Sequence, residues 1–147
     1  MIFENVRWGE NKDTGILPIK ATAGSAGYDF SSPKDVEINP GEKKIIWTGI
    51  KAGITKDYVL LVYIRSSMAI KRNLILANGT GVIDSDYYEN KDNDGNIGIC
   101  LYNYGNEKEK IKRGDRIAQG VVVKILNDSM EYVSDSKRSG GIGSTGR

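Results

Sequence analysis

Tyr58-Val59-Leu60-Leu61-Val62-Tyr63-Ile64 is a continuous apolar run rich in β-branched and aromatic residues. That content and length suit a central strand. The run leads directly into Arg65-Ser66-Ser67-Met68-Ala69-Ile70-Lys71. Ser66 or Ser67 can cap a short helix from Met68 to Lys71. A helix N-terminus with two hydroxyls and an arginine is a ready anion site. An ordinary cap beside a surface arginine fits the same letters equally well.

Beyond this comes Gly79-Thr80-Gly81-Val82-Ile83-Asp84-Ser85-Asp86-Tyr87. The two glycines allow close backbone approach, and Val82-Ile83 favours extended chain. Asp84 follows at the end of the strand. A carboxylate among apolar neighbours can act as a general base; a plain Gly-Asp turn between strands is the other reading. Residues 88–95 form a polar turn-rich loop without the glycine and terminal glutamate of a calcium loop. Ile97, Ile99 and Leu101 then alternate with Asn96, Gly98 and Cys100 as a return strand. Ile117 to Leu126 is a last strong strand, with Gly120 a candidate bulge, and Tyr132-Val133 ends the ordered pattern.

On the N-terminal side, Ile2-Phe3 and Ile16-Leu17 suggest one or two short strands. Ala23-Gly24-Ser25-Ala26-Gly27-Tyr28-Asp29-Phe30 reads as a tight chain crossing, or as a site where Asp29 faces a metal or an arginine. Val36-Glu37-Ile38 is a brief strand closed by the Asn39-Pro40-Gly41 turn, and Ile45-Ile46-Trp47 with Ile50 another. Short strands divided by Gly, Pro, Asn and Asp turns predict an all-β fold, a jelly-roll-like barrel or sandwich with at most one short helix.

The 147 residues argue for one domain, which buries about two thirds of its unfolded surface. With 21 basic and 19 acidic residues the net charge is +2, too small to call for nucleic acid or a membrane. There is no histidine, which excludes Ser-His-Asp and Cys-His catalysis and any imidazole metal ligand. A metal here would be held by oxygen, as Mg²⁺ usually is. The single cysteine, Cys100, forms no internal disulfide and sits in an alternating apolar run. No apolar stretch resembles a signal peptide or spans a bilayer, so a cytoplasmic protein is expected. The glycine-rich end, Lys137 to Arg147, reads as flexible by composition. It also carries glycine amides, hydroxyls and cations suited to a polyphosphate. We therefore expect a core over residues 1–135 and a flexible glycine-rich C-terminal tail over 136–147.

Five segments stand in one order: AGYDF (26–30), RSS (65–67), GVIDSDY (81–87), GDRIAQ (114–119) and GGIGST (140–145). Together they resemble the five motifs of the homotrimeric dUTPase family, from Ala26 to Gly146. The resemblance implies a trimeric β jelly roll whose active sites are shared between subunits, with dUTP as substrate and Mg²⁺ as cofactor. It implies that Asp84 activates the water that attacks the α-phosphorus. The arms around Gly81, Val82 and Ile83 and around Ile97, Gly98 and Ile99 would form a hairpin holding uracil, with Asn78 helping to read the base. Tyr87 would pack on the deoxyribose. Arg65, Ser66, Ser67 and Gln119 would contact phosphates, and Asp29 and Arg116 would support the site. No residue would ligate the metal directly; Asp29 would lie near its waters. Lys137, Arg138, Gly143, Ser144 and Thr145 would close over the triphosphate, which makes the 136–147 tail a lid.

The chain departs from the family pattern in three places. Ile142 stands where a phenylalanine usually stacks on uracil. Lys137, followed by Arg138, replaces the usual arginine, and lysine lacks the bidentate fork. Tyr88 follows the third-motif tyrosine where arginine is common, and the loop to Gly95 is longer. Two rivals share the fold. A dCTP deaminase needs a glutamate on the return strand, and Ile97 to Leu101 has no carboxylate. A non-enzymatic binding module fits poorly with the retained Asp84, Arg65, Gln119, Ser144 and Thr145.

Overall fold

The computed structural model describes residues 1–126 and Gly140. It contains eleven strands: β1 (Ile2–Asn5), β2 (Gly27–Ser31), β3 (Val36–Ile38), β4 (Lys43–Trp47), β5 (Ile50–Gly53), β6 (Tyr58–Ile64), β7 (Leu74–Leu76), β8 (Gly81–Ile83), β9 (Gly98–Asn103), β10 (Glu109–Ile111) and β11 (Arg116–Lys124). One helix, α1 (Ser66–Arg72), follows β6, and a 3-10 turn, Ser85–Tyr87, follows β8. All the pairings between strands are antiparallel. Four strands form one sheet in the order β2-β11-β6-β8, and three form another in the order β4-β9-β7. The pairs β1-β5 and β3-β10 complete the structure. This mostly-β arrangement fits a jelly roll. Among the described residues no helix is long and apolar enough to cross a membrane.

β6 keeps the bounds that its apolar run predicts. Leu60 and Val62 are buried, and Phe30, Ile38, Ile46, Ile50, Leu74, Ile97, Leu101, Ile111 and Ile117 close the same core. β11 passes between β2 and β6, and Gly120 sits where the three are tightest. A Cβ there would lie 2.8 Å from both Leu60 and Phe30. Gly120 is therefore a packing requirement. The irregularity expected at Gly120 falls instead between Arg116 and Ala118.

Three other expectations change. Ile16-Leu17 forms no strand; the segment makes only an isolated bridge between Ile19 and Asp29, and the intervening Pro18 has no N–H to give a ladder. Neither Ser66 nor Ser67 caps α1: Arg65 is the cap residue, and no side chain bonds the first-turn amides. The arms around Val82 and Gly98 do not pair with each other. β8 lies on β6, whereas β9 lies between β4 and β7. The strand expected at Tyr132-Val133 and the lid boundary at residue 136 lie outside the described residues.

The long loop after Tyr87 is tied to the N-terminal segment by buried charge. Lys51 on β5 is 2% exposed, with its Nζ 3.0 Å from Glu89, 3.3 Å from Asp94 and 3.9 Å from Glu4. Its ammonium also lies 4.9 Å from the centre of the Tyr88 ring. Arg7 donates its backbone N–H to Asp94 at 2.7 Å and its Nε–H at 3.1 Å. Burial alone would push the Asp94 carboxyl up. Arg7 and Lys51 outweigh it and hold Asp94 below the usual carboxylate range. The Tyr88 hydroxyl donates to Glu4. That bond, with burial and the charges of Glu4 and Glu89, pushes its pKa up to about 12.

Candidate active site

Asp29, Gln119 and Tyr63 stand side by side on β2, β11 and β6. Antiparallel register puts directly opposed residues on one face of a sheet. Arg65 is two residues beyond Tyr63 and continues that row. Its Nε lies 2.9 Å from Asp29 Oδ1, while Arg116 Nη1 lies 3.0 Å from Asp29 Oδ2. One buried carboxylate is thus clamped between two guanidinium groups, leaving one positive charge in excess. Arg116 is the more solvent-exposed of the two.

Beside this clamp is a cleft of about 370 Å³. Asp29, Arg65, Ser66, Gln119, Tyr63 and Gly27 line it, with Ala21, Ser25, Ala26 and Val121. A Cβ on Gly27 would come within 3.2 Å of Gln119 Oε1, so the glycine makes room for the amide. Gln119 Nε2 in turn approaches the Ile64 carbonyl at 3.4 Å. Ser66 is exposed and Ser67 half-buried at the start of α1. Arginines, an amide and hydroxyls around one cleft suit a polyanion.

Asp84 is elsewhere. Val82 pairs with Leu61 and Ile83 with Leu60, so Asp84 lies beyond the N-terminal half of β6. Arg65 follows its C-terminal end. The five residues from Leu60 to Arg65 span about 17 Å of extended chain. Asp84 is half-buried and precedes the 3-10 turn, with its carbonyl accepting from Tyr87 N–H at 3.2 Å. Val82 is exposed and Ile83 half-buried beside it. A Cβ on Gly81 would come 3.1 Å from Val62 Cβ. Asn78 is exposed at the turn before β8.

Tyr87 is 8% exposed. Its hydroxyl donates to the Asn96 carbonyl at 2.7 Å and accepts from Asn93 Nδ2 at 2.9 Å. Ile97 and Ile99 are core residues. The Ile97 N–H bonds the Ile50 carbonyl, and its carbonyl accepts both the N–H and the hydroxyl of Thr48. Its main chain is therefore occupied by the fold, and it offers no edge to a base. Gly98 is held small by Trp47 and Ile45; a Cβ there would lie 2.9 Å from the indole. Lys137, Arg138, Ile142, Gly143, Ser144 and Thr145 lie outside the described residues.

Sequence reasoning did not single out Tyr63, Val121, Lys51, Arg7, Asp94 or Asn93. For Tyr63 and Val121 a signal exists: each is two residues along extended chain from a chosen site residue, Arg65 and Gln119, hence on its face. For Lys51, Arg7 and Asp94 the hydrogen-bond partners are 38 to 87 residues apart in sequence, whereas Asn93 bonds Tyr87 only six residues away.

The chain resembles known proteins over nearly its whole length. The sequence model of the dUTPase family matches residues 13–146. The deoxyuridine 5'-triphosphate nucleotidohydrolase of Lactococcus lactis is 43% identical over 137 residues, covering 92% of this chain and 91% of its own. Among solved structures, the dUTPase of Streptococcus mutans superposes with a TM-score of 0.78 at 34% identity, covering 87% of this chain and 98% of that one. The dUTPase of phage phi11 of S. aureus, whose structure is described as coordinating a structural Mg(II) ion, gives 0.72 at 26% identity, covering 92% and 98%.

Proposed function

Because the chain belongs to the dUTPase family, we propose that it hydrolyses dUTP to dUMP and pyrophosphate and so limits uracil incorporation into DNA. The observation that carries the mechanism is the separation of two half-sites along β6. At one end Arg65, Ser66 and Gln119 surround an anion cleft steadied by Asp29 and Arg116. At the other stand Asp84 and Tyr87. A general base acts within one water of the atom attacked. It must therefore meet the phosphates held by the arginine cleft of another copy of the chain. We read the active unit as a homotrimer whose sites are each shared between subunits.

In such a site a water oxygen attacks the α-phosphorus as Asp84 takes its proton. The bond from the α-phosphorus to the bridging oxygen breaks, and pyrophosphate leaves with that oxygen. Arg65 and Gln119 hold phosphate oxygens, and Arg65 neutralises charge through the transition state. The β8 arm with the main chain at Gly98 and Ile99 encloses uracil, and Asn78, exposed at the turn before β8, helps to read the base edge. Tyr87 lies against the sugar and leaves no space for a 2′-hydroxyl. Lys137, Arg138, Ile142, Gly143, Ser144 and Thr145 close over the nucleotide. Strong selection follows if the wrong base leaves buried groups unpaired.

Among the described residues no group of three acidic or thiol side chains can hold a metal. Both Asp29 oxygens are already engaged by arginines. The residues would suit a Mg²⁺ carried by the triphosphate itself, with Asp29 the nearby carboxylate; when bound it would supply charge neutralisation. The cytoplasmic setting expected above belongs to the same proposal.

The test is pyrophosphate release from dUTP, dTTP, dCTP and UTP side by side, with and without Mg²⁺. Release confined to dUTP and dependent on Mg²⁺ is expected. Ammonia from dCTP, or nucleotide binding without turnover, would overturn the reading.

A further inference from the structure

Tyr87 is gripped at two points by the loop that follows it. Its hydroxyl donates to Asn96 O and accepts from Asn93 Nδ2, while its carbonyl accepts from Asn90 Nδ2 at 2.8 Å. Asn93 also builds the loop: its Oδ1 accepts from Asn90 Nδ2 at 2.8 Å and from the Gly95 N–H at 3.1 Å. Gly95 has a φ of +82°, and a Cβ on it would sit 2.9 Å from the Tyr87 carbonyl. Asn96 fixes the far end, donating to Glu10 O and accepting from Gly49 N–H. Next to Asn93, the fully buried Asp94 side chain is anchored by Arg7 and Lys51. The phenol is therefore held by its hydroxyl on a loop that is itself tied to β1 and β5.

We infer that Asn93 is a positioning residue for sugar selection: its Nδ2–H to Tyr87 Oη bond sets the ring angle that admits a 2′-deoxyribose and rejects a 2′-hydroxyl. The inference deepens the proposed role of Tyr87 and rests on it. The ring carries one hydroxyl: Asn96 O accepts its only proton, and Asn93 Nδ2 is the side-chain donor to its oxygen. Without the Asn93 donor the hydroxyl loses one of its two anchors on the loop, the ring tilt relaxes within its packed site, and the space denied to a 2′-hydroxyl opens.

The variant Asn93→Asp keeps the Oδ1 acceptor for Asn90 and Gly95 and puts an acceptor in place of the amide that donates to Tyr87 Oη and, at 3.4 Å, to Asn96 O. Asn93→Ala removes both. The readout is the ratio of kcat/KM for dUTP to that for UTP, with thermal melting to confirm folding. Both variants should lower the ratio about five- to tenfold, the worth of one hydrogen bond, chiefly by raising kcat/KM for UTP. Turnover of saturating dUTP should stay within about twofold. Tyr87→Phe should lower the ratio at least as much, and Asn93→Asp with Tyr87→Phe should lower it no further than Tyr87→Phe alone, since Tyr87→Phe already removes the bond to Asn93. An additive double variant, or an unchanged ratio in Asn93→Asp beside a lowered one in Tyr87→Phe, overturns the inference while the sugar role stands. An unchanged ratio in both Tyr87→Phe and Tyr87→Ala removes the sugar role, and the inference with it.

Discussion

Replacing Lys51 by methionine should be among the more damaging conservative changes in this chain. The two side chains are alike in length, so no cavity forms. What is lost is the cation 3.0 Å from Glu89 and 3.3 Å from Asp94. Removing one member of a buried ion pair costs about 3–5 kcal/mol, because the remaining charge keeps its desolvation penalty. Two features place Lys51→Met at the lower end. The Glu4 and Glu89 side chains are 44% and 39% exposed and can turn to water. Asp94 also keeps Arg7. A loss of about 3 kcal/mol lowers the melting midpoint by about 6–12 °C in a chain of this size. The assay is thermal unfolding at fixed chain concentration, with Lys110→Met as control. Lys110 lies on the surface against Glu37, and its loss should move the midpoint by less than about 2 °C. The sign of the pH effect follows from Asp94. Its folded pKa is depressed, so its stabilisation is present above the unfolded value and fades as pH falls through the folded one. The deficit of Lys51→Met should therefore narrow below about pH 4. A midpoint shift no larger than that of the control would refute the argument.

Four further outcomes are expected. Asp84→Asn should abolish pyrophosphate release while calorimetry still detects dUTP binding; near-normal turnover by the folded variant contradicts the base role. Arg65→Ala and Asp84→Asn, each inactive alone, should regain about one quarter of parental activity when refolded together one to one, because random mixing builds that share of intact sites across subunit pairs. No recovery in demonstrably mixed oligomers speaks against shared sites. Gly120→Ala should destabilise by about 1–3 kcal/mol through contact with Leu60 and Phe30, read in the same melting assay, and an unchanged midpoint would show that the strands give way freely. Deleting residues 139–147 should remove most activity and leave the melting midpoint in place; an active truncated enzyme counts against a closing tail.

The parts of the fold that the sequence displays are those decided by local pattern. β3 and β6 fall where alternation and β-branched content put them. Pattern fails where one neighbour overrides it. Ile16-Leu17 is apolar enough for a strand, but Pro18 removes a donor and the chain meets β2 at a single bridge. Gly120 has the look of a bulge because glycine serves both bulges and close approaches, and only the positions of Leu60 and Phe30 distinguish them. The two serines after Arg65 suit a cap by type, yet the backbone places the cap one residue earlier. At the site, residue types were legible and partnerships were not. Asp29 as a charge facing an arginine was one of two open readings, and nothing local reveals that it faces two, 36 and 87 residues away in sequence. The loop after Tyr87 was visible as an insertion. Its hold on the phenol depends on Asn93 and Asn96, and asparagines in a turn look alike in sequence whichever way they point.

The distance along β6 between Arg65 and Asp84 bears on how the protein behaves when scarce. If every catalytic centre straddles two molecules, specific activity should decline on dilution as the association equilibrium shifts toward isolated chains. Turnover then counts assembled particles, and added nucleotide, which bridges the two halves, should hold them together at concentrations where the free protein separates.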